Sequence, residues 1–235
     1  MVIDLKRCIG CHACTVACNV EHDLPAGSEW NRVETEGGDG MDEPAGTYPV
    51  VGGETATSPE GRPPDADETD PGTGFEGGCT LEMSYRPVAC QHCENAPCAS
   101  VCPTGATAQR EDGIVIVDTD ACVGCGGCLE ACQYDARTTR GGTTDVVEKC
   151  TFCSHRVDEG LDPACVVACP AGARIFGDLD EPTSTVSRYR DGYETHQLGE
   201  IEGAQPRVYY VDGEMTPGRS RQDDALESER PGSDG

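Results

Sequence analysis

Sixteen of the seventeen cysteines in this 235-residue chain fall into four groups of four. Cys8, Cys11, Cys14 and Cys18 form the first quartet, in CIGCHACTVAC, and Cys90, Cys93, Cys98 and Cys102 the second, in CQHCENAPCASVCP. Cys122, Cys125, Cys128 and Cys132 form the third, in CVGCGGCLEAC, and Cys150, Cys153, Cys165 and Cys169 the fourth, in CTFCSHRVDEGLDPACVVACP. Quartets one and three have the spacing C-x2-C-x2-C-x3-C, which binds [4Fe–4S] clusters. Quartets two and four are the same run with the third cysteine displaced by two and nine residues. Three thiolates on a tight loop can take three corners of a cubane. Small residues between them (Gly10, Ala13, Gly124, Gly126 and Gly127) let the backbone approach the sulfides. The fourth cysteine follows on a short helical turn and points away, toward the neighbouring cluster of a pair. Zinc would ask for two cysteine pairs per site, which three cysteines within seven residues suit poorly. A disulfide framework fails on the odd count and on the start MVIDLKR, which is no secretory leader.

The elements that must position these thiols follow from what lies between them. Cys102 and Cys122 are joined by PTGATAQREDGIVIVDTDA, two strand-like runs at 106–110 and 114–118 turned at Asp112-Gly113. That is the length and style of a two-cluster unit, so quartets two and three pair with each other, leaving quartets one and four to pair outside them. Exchange of the fourth cysteine within each pair gives four sites, each expected to hold one [4Fe–4S] cluster. They are Cys8, Cys11, Cys14 with Cys169; Cys90, Cys93, Cys98 with Cys132; Cys122, Cys125, Cys128 with Cys102; and Cys150, Cys153, Cys165 with Cys18. The expected fold is α+β, two pseudo-symmetric bacterial-ferredoxin-like units of short strands and helices, with a long acidic loop inserted. Residues 1–33 with 149–178 are the outer unit and 79–148 the inner one. Residues 34–78, with 11 Gly, 6 Pro, 12 acids and Arg62 as sole cation, read as a solvated insertion. Residues 179–235 read as an acidic segment with one strand near 208–211 and a disordered tail from about 214.

Composition sets the rest. Asp and Glu number 43 against 17 Lys and Arg, a net charge of −26. Leu, Ile, Val and Phe total 36 of 235 residues, a fraction at which so charged a chain cannot offset its ordering entropy with a core alone. Metal–thiolate bonds can supply what the core lacks. The charge excludes nucleic acid as a partner. No run of apolar residues is long enough to span a membrane, so direct membrane insertion is not expected. Only Lys6 and Lys149 are lysines, and an acid-rich, lysine-poor surface suits concentrated salt, which screens self-repulsion.

Three stretches carry a resemblance: MVIDLKRCIGCHACTVACNVEHDLP, PVACQHCENAPCASVCPTGATAQREDGIVIVDTDACVGCGGCLEAC, and KCTFCSHRVDEGLDPACVVACPAGARIFGD. They resemble the four-cluster iron–sulfur subunit of the DMSO reductase family of molybdopterin oxidoreductases, a likeness that covers roughly residues 1–33 and 85–178, a little more than half the chain. The resemblance supports the nested pairing. It implies a relay of electrons between a membrane quinone-reactive anchor subunit and a molybdopterin catalytic subunit, in anaerobic respiration on DMSO, an N-oxide or a sulfur compound. Relatives with a [3Fe–4S] centre, such as nitrate reductases, have Trp at the second cysteine of quartet three; Cys125 here implies four [4Fe–4S] clusters. Gln133 departs from the family pattern, which has Pro after the fourth cysteine. Some relatives carry a C-terminal membrane helix that this sequence lacks, so membrane association is expected through partner subunits, with export alongside a twin-arginine-bearing partner as one route.

The remaining residues with chemical potential are few. Cys79 lies outside every quartet spacing and reads as a free thiol. His12 and His92 sit inside cysteine loops where no ligand is missing, and are expected to pack or hydrogen-bond near sulfur; His22, His155 and His196 give no signal. No Ser-His-Asp set, Walker A run or dinucleotide fingerprint occurs, so no catalytic residue is expected and the chain reads as a non-catalytic electron-transfer subunit. A free-standing soluble polyferredoxin is the alternative, and a catalytic cluster with an open iron would need a quartet short of one ligand.

Overall fold

Short elements are what so little apolar sequence permits. The structure, a computed structural model, describes residues 1–36, 84–139, 146–199 and 203–215. In chain order the first half runs β1 (Val2–Asp4), α1 (Ala13–Glu21), β2 (Asn31–Glu36), β3 (Ser84–Ala89), α2 (Pro97–Ser100), β4 (Thr107–Gln109), β5 (Val115–Val117) and α3 (Gly127–Glu130). The second runs β6 (Thr138–Thr139), β7 (Val147–Glu148), α4 (Ser154–Val157), α5 (Ala164–Val167), β8 (Arg174–Ile175), α6 (Thr185–Gly192), β9 (Tyr193–His196) and β10 (Tyr209–Met215). Helix and strand are thus mixed. Four of the helices are single turns. Each of α2, α3 and α5 ends two residues before the fourth cysteine of its quartet, whereas α1 carries Cys14 and Cys18 itself. Proline starts two of these turns: Pro97 opens α2 and Pro163 caps α5, positions where a missing N–H costs nothing.

The hairpin between quartets two and three forms as its sequence suggests. β4 and β5 pair antiparallel, Thr107 opposite Val117 and Gln109 opposite Val115. Asp112 Oδ1 accepts the Ile114 N–H at 3.0 Å, and Gly113 turns at φ 81°, a conformation glycine adopts without strain. The largest sheet has the order β8-β1-β10-β9. β1 lies at its heart, parallel to β10 (Ile3 opposite Tyr210) and antiparallel to β8 (Ile3 opposite Arg174). All three β1 residues are buried. The first and last described strands therefore clasp each other, and Arg174 is fixed by its register in that clasp.

Three sequence-based boundaries need correction. The C-terminal segment holds more than one strand: α6 and β9 precede β10. Ser184 caps α6 by accepting the Ser187 N–H, and Val186, Tyr189 and Tyr193, at helical spacing, pack against Val2 and Val211. Burying such side chains is worth about 1.5–3 kcal/mol each, and Tyr189 also donates its hydroxyl to Asp4. Second, the insertion starts later than residue 34. Glu34 belongs to β2, which pairs with β3, and accepts from Arg32 and Arg86. Third, residues of the expected inner and outer units share one core. Met1–Glu34 and the described residues from Tyr85 on form one compact unit. In it, Met1, Ile3, Cys18 and Trp30 share one apolar cluster with Cys90, Cys93, Ile114, Val115, Tyr134 and Phe152. A thin supply of apolar residues makes one core, with cysteines as members. Most of the expected acidic insertion, Cys79 and the expected disordered tail beyond residue 215 lie outside the described residues.

Candidate metal centres

Each cysteine loop turns in the same way. The residue just before the second cysteine has positive φ in all four quartets: Gly10 at 67°, His92 at 44°, Gly124 at 66° and Phe152 at 51°. In quartets one and three glycine meets the requirement without cost. A Cβ on Gly10 would also stand 2.5 Å from the Tyr85 ring. In quartets two and four the left-handed residue is aromatic, a strain of roughly 1–2 kcal/mol for each. Their rings stack on each other with centroids 3.7 Å apart, and such pairs recover about 0.5–1.5 kcal/mol beyond their buried area. His92 accepts the Val115 N–H at Nδ1 and burial keeps it neutral, its pKa far below the ordinary value. Its partners are thus the Phe152 ring and the Val115 N–H.

The folded loops gather thiols into sets. One cavity is lined by Cys18, Cys150, Cys153 and Cys165. A second is lined by Cys90, Cys93, Cys98 and Cys132, and a third by Cys102, Cys122, Cys125 and Cys128. In each, three thiols of one quartet meet the fourth thiol of another. Around Cys8, burial pushes the thiol up and the nearby Cys14 and Cys169 push it further; Cys11 is exposed in the same loop. Cys90 lines the first cavity as well as the second, so those two adjoin. Cys14, Cys18, Cys90, Cys93, Cys128, Cys150 and Cys153 are buried, whereas Cys11 and Cys125, the second cysteines of quartets one and three, are exposed.

Do these surroundings fit an iron–sulfur cluster? The thiols line cavities in sets of four, and among the described residues no group of three His, Cys, Asp or Glu is arranged to hold a single metal ion. Burial, then neighbouring thiols, push Cys18 up to about 12 and Cys93 to about 11. A set so crowded is held as thiolates only with positive charge among them, which iron supplies. Backbone N–H groups donate to sulfur at Cys102, Cys150 and Cys169, from Thr107, Phe152 and Ala173 at 3.3–3.4 Å. Cys102, half-buried and so bonded, falls to about 7. The interior also has the wrong sign for so acidic a chain. Among the described residues, Arg137, Lys149 and Arg174 are buried against a single buried acid, Asp4. Arg137 Nη2 has no hydrogen-bond partner. A buried cation with an idle donor beside a ring of thiols fits an anionic occupant.

Two contacts escaped sequence reasoning. His22, which gave no signal, places Nε2 3.3 Å from Cys153 Sγ across 131 residues, its ring tilted against Trp30 at 4.6 Å. Arg174 touches Cys14 and Cys165. Nothing local marks the first. The second had a visible sign: both Cys132 and Cys169 open the run C-x3-A-R.

Comparison with known proteins agrees with this geometry. Two models of the 4Fe–4S dicluster domain match, over residues 7–106 and 81–179. A Halobacterium salinarum protein assigned as a dimethyl sulfoxide reductase iron–sulfur subunit is 51% identical, covering 97% of this chain and 84% of its own length. A tetrathionate reductase subunit of Salmonella typhimurium is 38% identical over 96% of this chain and 78% of its own. A polysulfide reductase chain of Wolinella succinogenes is 34% identical over 90% and 92%. The first of these comes from a halophile, in keeping with the acid-rich, lysine-poor composition. Among the described residues no helix is long and apolar enough to cross a membrane. By identity, coverage and matched domains together, this protein belongs to the iron–sulfur electron-transfer subunits of the DMSO reductase family of molybdopterin oxidoreductases.

Proposed function

We propose that the sixteen grouped cysteines hold four [4Fe–4S] clusters in the exchanged sets read from the sequence. Each cluster, when bound, accepts and returns one electron with little rearrangement. The observation that carries this reading is that three cavities are each lined by one complete exchanged set. The left-handed residue common to all four loops supports the pseudo-symmetry of the two pairs.

The chain then acts as a conductor between two partners: a molybdopterin catalytic subunit and a membrane anchor that reacts with quinone. The overall process is anaerobic respiration on DMSO, an N-oxide or a sulfur compound, and membrane association runs through the anchor. Exposure supports a path with its ends at the Cys8 and Cys122 loops and its middle inside. Apolar side chains flank both ends: Ile9, Val16 and Val20 at one, Val101 and Val123 at the other, all exposed. On a surface so acidic, such patches suit contact with other subunits. The chain's own residues bury the inner thiols, exclude water from them, and donate N–H groups to sulfur, which raises a cluster's potential.

The test is composition and company. Anaerobically isolated chain should carry about 16 iron and 16 acid-labile sulfide, four of each per cubane, and should co-purify from its native cells with a large molybdopterin subunit. Stoichiometric zinc, or a lone monomer with full iron and no partner, would overturn the first or second half of the proposal.

A further inference from the structure

Two arginines occupy the same place relative to two quartets. Arg137 follows Cys132 by five residues and Arg174 follows Cys169 by five; the same offset after Cys102 and Cys18 gives Thr107 and Asp23. Each nested pair of sites therefore has one arginine. Both are interior, 4% and 5% exposed. Arg174 donates from Nη2 to Cys14 Sγ at 3.5 Å and from Nη1 to Cys165 Sγ at 3.8 Å, one sulfur from each outer site. Asn31 Oδ1 accepts from Nη2 at 2.7 Å, so the side chain that orients Arg174 is neutral and leaves its charge uncancelled. Arg137 lines the inner cavity of Cys90, Cys93, Cys98 and Cys132. Its Nη1 donates to Thr107 Oγ1 at 3.2 Å, and Thr107 in turn donates its N–H to Cys102 of the other inner site.

Each arginine thus stands between the two sites of its pair: Arg174 contacts a sulfur of each outer site, and Arg137 lines one inner cavity and reaches the other through Thr107. We infer that Arg137 and Arg174 are shared cations, one for each nested pair of clusters, and that each holds up the potentials of both clusters in its pair together. The inference rests on the cluster assignment above. Reduction adds negative charge to a dry interior, where a cation at contact distance favours the reduced form far more than it would in water. One guanidinium facing two clusters acts on both. Such a residue positions potential and takes no part in any substrate's chemistry.

The experiment is an EPR-monitored redox titration of the full chain, anaerobically assembled, with iron counted first. Four clusters in the unmodified protein establish the assignment independently of any variant. In Arg174→Gln two of the four midpoint potentials should fall and two stay; in Arg137→Gln the complementary two should fall. Arg174→Lys should restore most of the shift. Should Arg174→Gln shed iron, Asn31→Asp decides: it is isosteric, leaves the arginine in place and cancels its charge, and should lower the same two potentials. Unmoved potentials, a shift confined to one cluster, or equal shifts of all four in these variants would overturn the shared-cation inference while leaving the four-cluster count intact.

Discussion

The proposed inner pair of sites is built by neighbours in sequence and the proposed outer pair by strangers. Cys90 to Cys132 is one continuous run, closed on itself by the β4–β5 hairpin. The outer sites join Cys8–Cys18 to Cys150–Cys169, and nothing local brings them together. Their closure depends on β1 pairing with β8 and β10, on α1 against α5, and on the Arg174–Asn31 bond. The two regions are tied by the His92–Phe152 stack and by Lys149, whose buried ammonium donates to Val115 and Cys150 carbonyls. The same cubane-binding loop can thus be assembled by local or by long-range contacts, and the long-range version inherits the stability of the whole sheet.

The largest expected effect tests whether the outer sites really exchange cysteines. Cys18→Ala and Cys165→Ala should each lower iron from about 16 to about 12 per chain and leave identical EPR spectra, because both empty the same site. Cys14→Ala should leave a different spectrum. If Cys18→Ala matched Cys14→Ala instead, each quartet would be filling its own site and the contrast between regions would collapse.

Next comes the sheet. Ile3→Ala and Ile114→Ala remove the same side chain from the outer and inner regions, and each should cost about 2–5 kcal/mol. In a denaturant series followed by cluster absorbance and EPR, Ile3→Ala should release the outer pair of clusters before the inner pair. Ile114→Ala should release them together or in the opposite order, since it weakens the hairpin side of the shared core.

A smaller effect separates two glycines with the same backbone demand. Gly126→Ala meets only the left-handed strain of roughly 1–2 kcal/mol, with just Leu129 near, at 4.0 Å. Gly10→Ala adds a collision with Tyr85, so its melting point should fall further; equal losses would mean the Tyr85 ring moves freely.

The smallest concerns Arg110, which leaves the inner hairpin to pair with Asp158 beyond α4. Arg110→Ala should lower stability slightly in dilute buffer and not at all in molar KCl, where such a pair is screened. The parent protein should show the reverse trend, growing more stable with salt as its −26 charge stops repelling itself. A parent melt unchanged between dilute buffer and molar KCl would refute the salt-adaptation reading.

What was legible in the sequence was what is local. Quartet spacing, the Asp112-Gly113 turn and the strand at Tyr209–Val211 depend on residues within a few positions of each other. α6 was missed because its stretch is polar, and only Val186, Tyr189 and Tyr193 mark a buried face that has meaning once β1 lies beneath it. His22 was missed because its partner is remote in sequence. Arg137 and Arg174 could be seen as a repeated motif, but only burial beside two sets of thiols gives the repeat a purpose.

The β2–β3 ladder has a practical corollary. Arg86 of β3 bonds Glu34 of β2, and the backbone leaves this ladder at Glu36 and re-enters it at Ser84, which together are its gate. Lengthening whatever is threaded between those residues raises the closure cost by only about 0.6 kcal/mol per doubling. The gate is therefore a splice point: a fluorescent or affinity module with adjacent termini, grafted there, would report on assembly while every cysteine loop kept its own neighbours.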